Sequence, residues 1–68
     1  MDESEAISEA RQMLARLTRR TQALKEAGMK VGDIEAKLRL AASYIEGANT
    51  RKVMHLLNEA DVLLQTRK

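Results

Sequence analysis

At 68 residues, with a net charge of +2 and no cysteine, the chain has room for one small domain, and disulfide and thiolate chemistry are excluded. Phe, Trp and Pro are absent and Tyr44 is the single Tyr, so a core must come from Leu, Ile, Val, Met and Ala. Nothing interrupts long runs of strong helix formers, strand-favouring residues are scarce, and an all-α fold is expected.

The first predicted helix covers about 4–27. Ile7, Ala10, Leu14, Leu17, Thr21, Leu24 and Gly28 follow one another in alternating steps of three and four, a heptad seam. Ala6 and Met13 widen one flank. Such a helix is roughly 36 Å long at ~1.5 Å per residue, and Gly28 suits the left-handed position that closes it. Within the connection "GMKVGD", Val31 is expected to fold back under the turn. The second helix covers 33–46. Asp33 is placed to cap it, and Glu35 suits its first turn. Ile34, Leu38, Ala41, Ala42 and Ile45 share one face, Leu40 and Tyr44 extend that face to one side, and Gly47 stops the helix. The third covers 50–66, capped by Asn49 or Thr50. Its apolar face is Val53, Leu56, Leu57, Ala60, Leu63 and Leu64; Met54 flanks that face and Val62 falls nearly opposite it. Short loops make consecutive helices antiparallel neighbours. The expected architecture is an up-down-up antiparallel three-helix bundle made of the whole chain, 1–68.

The third helix opens on Arg51 and Lys52, two cations where a helix start favours acids. In an up-down-up bundle Asp2, Glu3, Glu5 and Glu9 come to the same end, with Glu46 close in the chain, and are expected to offset them. Surface pairs of this kind contribute only ~0–1 kcal/mol each, yet they bias which way the helices pack. At the other end Arg19, Arg20, Lys25, Lys30, Arg67 and Lys68 outnumber Glu26, Asp33 and Glu35. A basic pole results, with no aromatic residues interleaved to stack on single-stranded bases.

Ser43, Gly47 and Val53 keep the spacing of a helix-turn-helix unit, and Ala42, Ala48 and Leu56 fall where that pattern wants apolar residues. The stretch from Arg39 to Glu59 therefore resembles a helix-turn-helix DNA reader, with Glu46 and Ser43 departing from its usual residues. The resemblance implies that Thr50, Arg51, Lys52 and His55 start a recognition helix facing phosphates and base edges. It also implies a wide crossing angle between the two helices, whereas the heptad seam of the first helix favours shallow crossings. The same hairpin, through Tyr44, Gly47, Leu57 and Ala60, resembles tetratricopeptide and related microtubule-interacting modules, a likeness that transfers no binding residue.

His55, with Glu59 one turn on, is too little for a metal site, which needs several converging ligands. Neither a nucleophile–histidine pattern nor a Gly-rich phosphate loop occurs. No catalytic residue, cofactor or metal is expected. No apolar run approaches the ~20 residues that span a bilayer. The acidic start "MDESEAISEA" lacks the features of a signal peptide, so a soluble cytoplasmic location is the expectation.

A core without aromatic bulk is thin, and association adds burial. Leu40 and Tyr44, one helical turn apart, are the expected protein-binding strip, with Val62, Met54 and Met13 as further exposed apolar candidates. The function expected from the sequence is thus a non-catalytic helical protein–protein interaction module that binds a partner protein or its own copy. The alternative is nucleic-acid binding through Thr50, Arg51, Lys52 and His55.

Overall fold

The computed structural model describes residues 3–47 and 49–67. Three helices, α1 (Glu3–Glu26), α2 (Gly32–Glu46) and α3 (Thr50–Thr66), pack into a rod of 39 × 16 × 15 Å. Its long dimension is the length of α1. The cross-links between helices fix the topology. Lys25 near the end of α1 pairs with Glu35 in the first turn of α2, and Arg67 just past α3 pairs with Asp33. The end of α1, the start of α2 and the end of α3 therefore share one pole, as an up-down-up antiparallel bundle requires.

The core is the seam expected from the helical period. Ala10, Leu17 and Thr21 of α1 are buried with Ile34, Leu38, Ala41 and Ile45 of α2 and Val53, Leu57, Ala60 and Leu64 of α3. Ile7, Leu14 and Leu24 pack against this core while remaining partly exposed. Fully burying a Leu or Ile side chain is worth about 1.5–3 kcal/mol, and Ile34, Leu57, Leu64 and Val53 are the largest that are shut away completely. Thr21 is the one buried polar residue of this core; its hydroxyl donates to Leu17 O at 2.7 Å, so no side-chain polar group is left unsatisfied there. Ala42 does not join the core face. It is exposed, because it lies a full 100° around α2 from Ala41.

Two helix ends differ in kind. After α1 the chain makes a Schellman turn: Met29 N–H donates to Leu24 O and Gly28 N–H to Lys25 O, both at 3.0 Å, with Gly28 at φ +89°. Gly47 also ends its helix, but at φ −83°, where any residue is comfortable. The stop there comes instead from the turn that closes when Asn49 N–H donates to Tyr44 O at 3.0 Å.

Asp33 is not the cap of α2. The helix begins earlier, with Glu35 N–H donating to Val31 O at 2.8 Å. Val31, 2% exposed, is drawn under the turn by burial and sets where the helix enters. Asp33 sits inside the first turn, where its carboxylate accepts from Ile34 N–H at 2.9 Å. At α3 the cap is Asn49, whose side-chain oxygen accepts from Lys52 N–H at a long 3.5 Å.

Candidate interaction face

Helices α2 and α3 lie side by side along their whole length. Three links, at successive levels, show this. Beside the connecting turn, Lys52 Nζ sits 5.3 Å above the centre of the Tyr44 ring. In the middle, Lys37 Nζ donates to Glu59 Oε2. At the far end, Arg67 makes a two-pronged bond to Asp33, 2.9 and 2.8 Å. Each step away from the turn on α2 is matched by a step on α3, which describes a shallow antiparallel hairpin. A helix-turn-helix unit splays its helices widely, and this hairpin does not.

These links run across the outer surface of the hairpin and pair Asp33, Lys37, Glu59 and Arg67 within the chain. The Arg67 guanidinium holds the Asp33 carboxyl below its ordinary value, burial opposing and the Ile34 N–H assisting; the same carboxylate raises Arg67. The hydrogen bond and charge of Lys37 hold Glu59 below its ordinary value, with a further contribution from His55. His55 Nε2 donates to the second oxygen of Glu59 at 2.7 Å.

Around the central pair lie the two most exposed large aliphatic residues among the described residues, Leu40 at 51% and Val62 at 57%. Leu40 is one turn from Lys37, and Val62 is one turn from Glu59. Val62 and Leu63 form the apolar floor of a shallow depression whose rim is Lys37, His55, Asn58 and Glu59. Leu56, Leu63 and Tyr44 are partly buried against the core and complete the apolar content of this side. Val62, which the helical period puts on the polar side of α3, is one of the further exposed apolar candidates named beside the Leu40–Tyr44 strip. Nothing local in the sequence marks the Lys37–Glu59 link, whose partners are 22 residues apart.

The residues named for nucleic-acid recognition are arranged differently from one another. Arg51, Lys52 and His55 are exposed and Thr50 is partly buried. Lys52 lies over Tyr44 and His55 is held by Glu59, whereas no such contact engages Arg51 among the described residues. The up-down-up topology brings the start of α1 to the same end as Arg51 and Lys52, but neither cation forms an ion pair with Glu5, Glu9 or Glu46. Asp2 and the Glu3 side chain lie outside the described residues, as do Ala48 and Lys68. The basic pole is also milder than its composition implies, since Arg20 pairs with Asp61 at 3.8 Å, Lys25 with Glu35 at 3.5 Å and Arg67 with Asp33.

A second concavity lies between α1 and α2, lined by Leu14, Thr18, Leu38 and Arg39 among others. The Thr18 hydroxyl is already committed to Leu14 O at 2.7 Å. Among the described residues no group of three or more His, Asp or Glu converges to hold a metal, and no helix is long and apolar enough to cross a membrane. In comparisons with protein-family models, curated proteins and solved structures, nothing matches this chain.

Proposed function

We propose that this chain is a non-catalytic protein–protein interaction module that docks a partner through the outer face of the α2–α3 hairpin. The carrying observation is the pair Leu40 and Val62, half-exposed aliphatic side chains on either side of the Lys37–Glu59 link. Burying both removes apolar surface from water at ~25 cal/mol per Å², while the paired charges around them set orientation more than affinity. Nucleic-acid binding through Thr50, Arg51, Lys52 and His55 has less support. Two of those four side chains are engaged within the chain, and the hairpin lacks the wide crossing that presents a recognition helix.

The two readings respond oppositely to salt. The immobilised chain is exposed to extract at 0.05 and 0.5 M salt and, separately, titrated with duplex DNA. An apolar docking face holds a stoichiometric protein partner at both salt concentrations and loses it on Leu40→Asp or Val62→Asp. DNA binding that falls steeply with salt and disappears on Arg51→Glu, with no salt-resistant protein partner, overturns the proposal.

A further inference from the structure

Helices α1 and α3 run in the same direction, and Arg20 of α1 pairs with Asp61 of α3 at 3.8 Å, which fixes their relative register. Seven residues before Arg20 stands Met13; seven residues before Asp61 stands Met54. Seven residues return a helix to the same face to within ~20°, about 10.5 Å along its axis. Equal steps on the two parallel helices therefore bring Met13 and Met54 to one level of the α1–α3 seam. Both are partly buried and pack against the aliphatic core. This level is also where α1 is least tied by charge. Among the described residues the ion pairs of α1, Arg20–Asp61 and Lys25–Glu35, fall in its C-terminal half. Its N-terminal half rests on the apolar packing of Ile7, Ala10, Met13 and Leu14.

We infer that Met13 and Met54 form a redox-sensitive latch between α1 and α3, closed as thioethers and opened by a peroxide. The chain has no Cys, so no thiol competes for the oxidant, and partial exposure gives a small peroxide access to both residues. Hydrogen peroxide transfers one oxygen atom to the sulfur: the S–O bond forms, the O–O bond breaks, the sulfur gives up two electrons and water leaves. The product sulfoxide is polar. Packed against aliphatic side chains without a hydrogen-bond partner it is costly to keep from water, so it turns outward and takes its stem with it. Two such groups at one level lift the N-terminal half of α1 from α3. Helices α2 and α3 stay joined by Lys37–Glu59 and Arg67–Asp33, and opening uncovers the apolar surface of α3 around Val53 and Leu57, both fully buried in the closed form. Reduction of the sulfoxides restores the thioethers and closes the seam.

The chain is treated with hydrogen peroxide, the oxidised methionines are located by peptide mass spectrometry, and amide hydrogen exchange and Tm are measured before and after. With positions 13 and 54 oxidised, exchange is expected to accelerate across residues 7–14 more than across 34–45, and Tm to fall by at least ~4 °C. Treatment with the two stereospecific methionine sulfoxide reductases should reverse both changes. The Met13→Leu/Met54→Leu variant conserves volume and keeps Met1 and Met29; under the same treatment it is expected to show neither change. The inference is overturned if the parent oxidised at 13 and 54 keeps its exchange pattern and Tm, or if the double variant loses as much as the parent. It is equally overturned if Met13 and Met54 stay reduced while Met1 and Met29 oxidise. Should the double variant fold poorly before treatment, the single variants decide: each is expected to show a smaller loss than the parent, and a full loss in both overturns the latch.

Discussion

Replacing Gly28 by Ala isolates a backbone effect from every side-chain contact. Gly28 sits at φ +89°, and a Cβ built there meets no atom within 4 Å, so steric overlap contributes nothing. Two terms remain. Holding an L-residue in the left-handed region costs roughly 1–2 kcal/mol, and the lower entropy of an unfolded chain with Ala in place of Gly returns about 0.4–1 kcal/mol. The net expected loss is therefore ~1 kcal/mol, which in a domain of this size lowers Tm by ~4–8 °C. Gly47 supplies the control. It also follows a helix, but at φ −83°, and an added Cβ stands 3.7 Å from Tyr44 O, an ordinary contact. Gly47→Ala is expected to cost nothing and to gain up to ~1 kcal/mol by the same unfolded-state term. Thermal and urea melts followed by circular dichroism read both variants. Equal losses at the two positions, or a Gly28→Ala variant as stable as the parent, would refute the left-handed assignment and the Schellman turn built on it.

Leu57 is fully buried at the centre of α3, and Leu57→Ala is expected to cost ~2–5 kcal/mol, enough to leave so small a domain largely unfolded at 25 °C; an unchanged melting curve would show that the core is not where it is drawn. Asn49→Ala should cost less than the usual ~1 kcal/mol of a lost cap, because its bond to Lys52 N–H is stretched to 3.5 Å, and a loss well above that figure would mean the cap tightens in solution. Asp33 and Glu59 are both held below their ordinary values of 3.8 and 4.5. The stability they add is therefore present above those values and is lost as pH falls from them through the lowered folded ones. Urea midpoints measured from pH 7 down to pH 2 should be flat to about pH 5 and then fall. The Asp33→Asn/Glu59→Gln variant should show a shallower acid limb, and a limb as steep as the parent's would remove these two pairs as its cause.

The helices and their inward faces are legible because the helical period is a local property: the three-four steps from Ile7 to Leu24 need no knowledge of what they pack against. Errors fall where small or charged residues leave the period ambiguous. Ala42 reads as core because an Ala beside Ala41 carries no signal of direction. Asp33 reads as a cap because an acid before an apolar residue usually is one; its guanidinium partner lies 34 residues on, beyond any local rule. The candidate face divides in the same way. Leu40 is visible as an apolar residue on the edge of a helical stripe, but that Tyr44 beside it is half-buried beneath the Lys52 ammonium depends on the turn between α2 and α3. The Lys37–Glu59 link, which organises the face, depends on the register of two helices.

That register also accounts for the cations at the start of α3. Arg51 and Lys52 oppose the dipole of their own helix, at about 0.3–1 kcal/mol each, and α3 has no acid in its first turn to compensate. Yet α2, ending beside them, has no cation in its own last turn. In a shallow antiparallel hairpin the partial negative charge at the end of one helix adjoins the partial positive charge at the start of the next. A cation on the first turn of α3 therefore serves the carbonyls that close α2. For Lys52 there is also the Tyr44 ring, worth ~0.5–1 kcal/mol for an exposed contact. Two favourable terms against one unfavourable term of similar size leave a net of about 0.5–1 kcal/mol, so Lys52→Ala is expected to cost about that much. Against a Tyr44→Leu background, where the ring term is gone, the same substitution should become neutral to stabilising. A double-mutant cycle from urea melts reads the difference. A coupling of zero between positions 44 and 52 would leave the ring contact without energetic content, and Lys52 would then stand at the start of α3 for the sake of α2 alone.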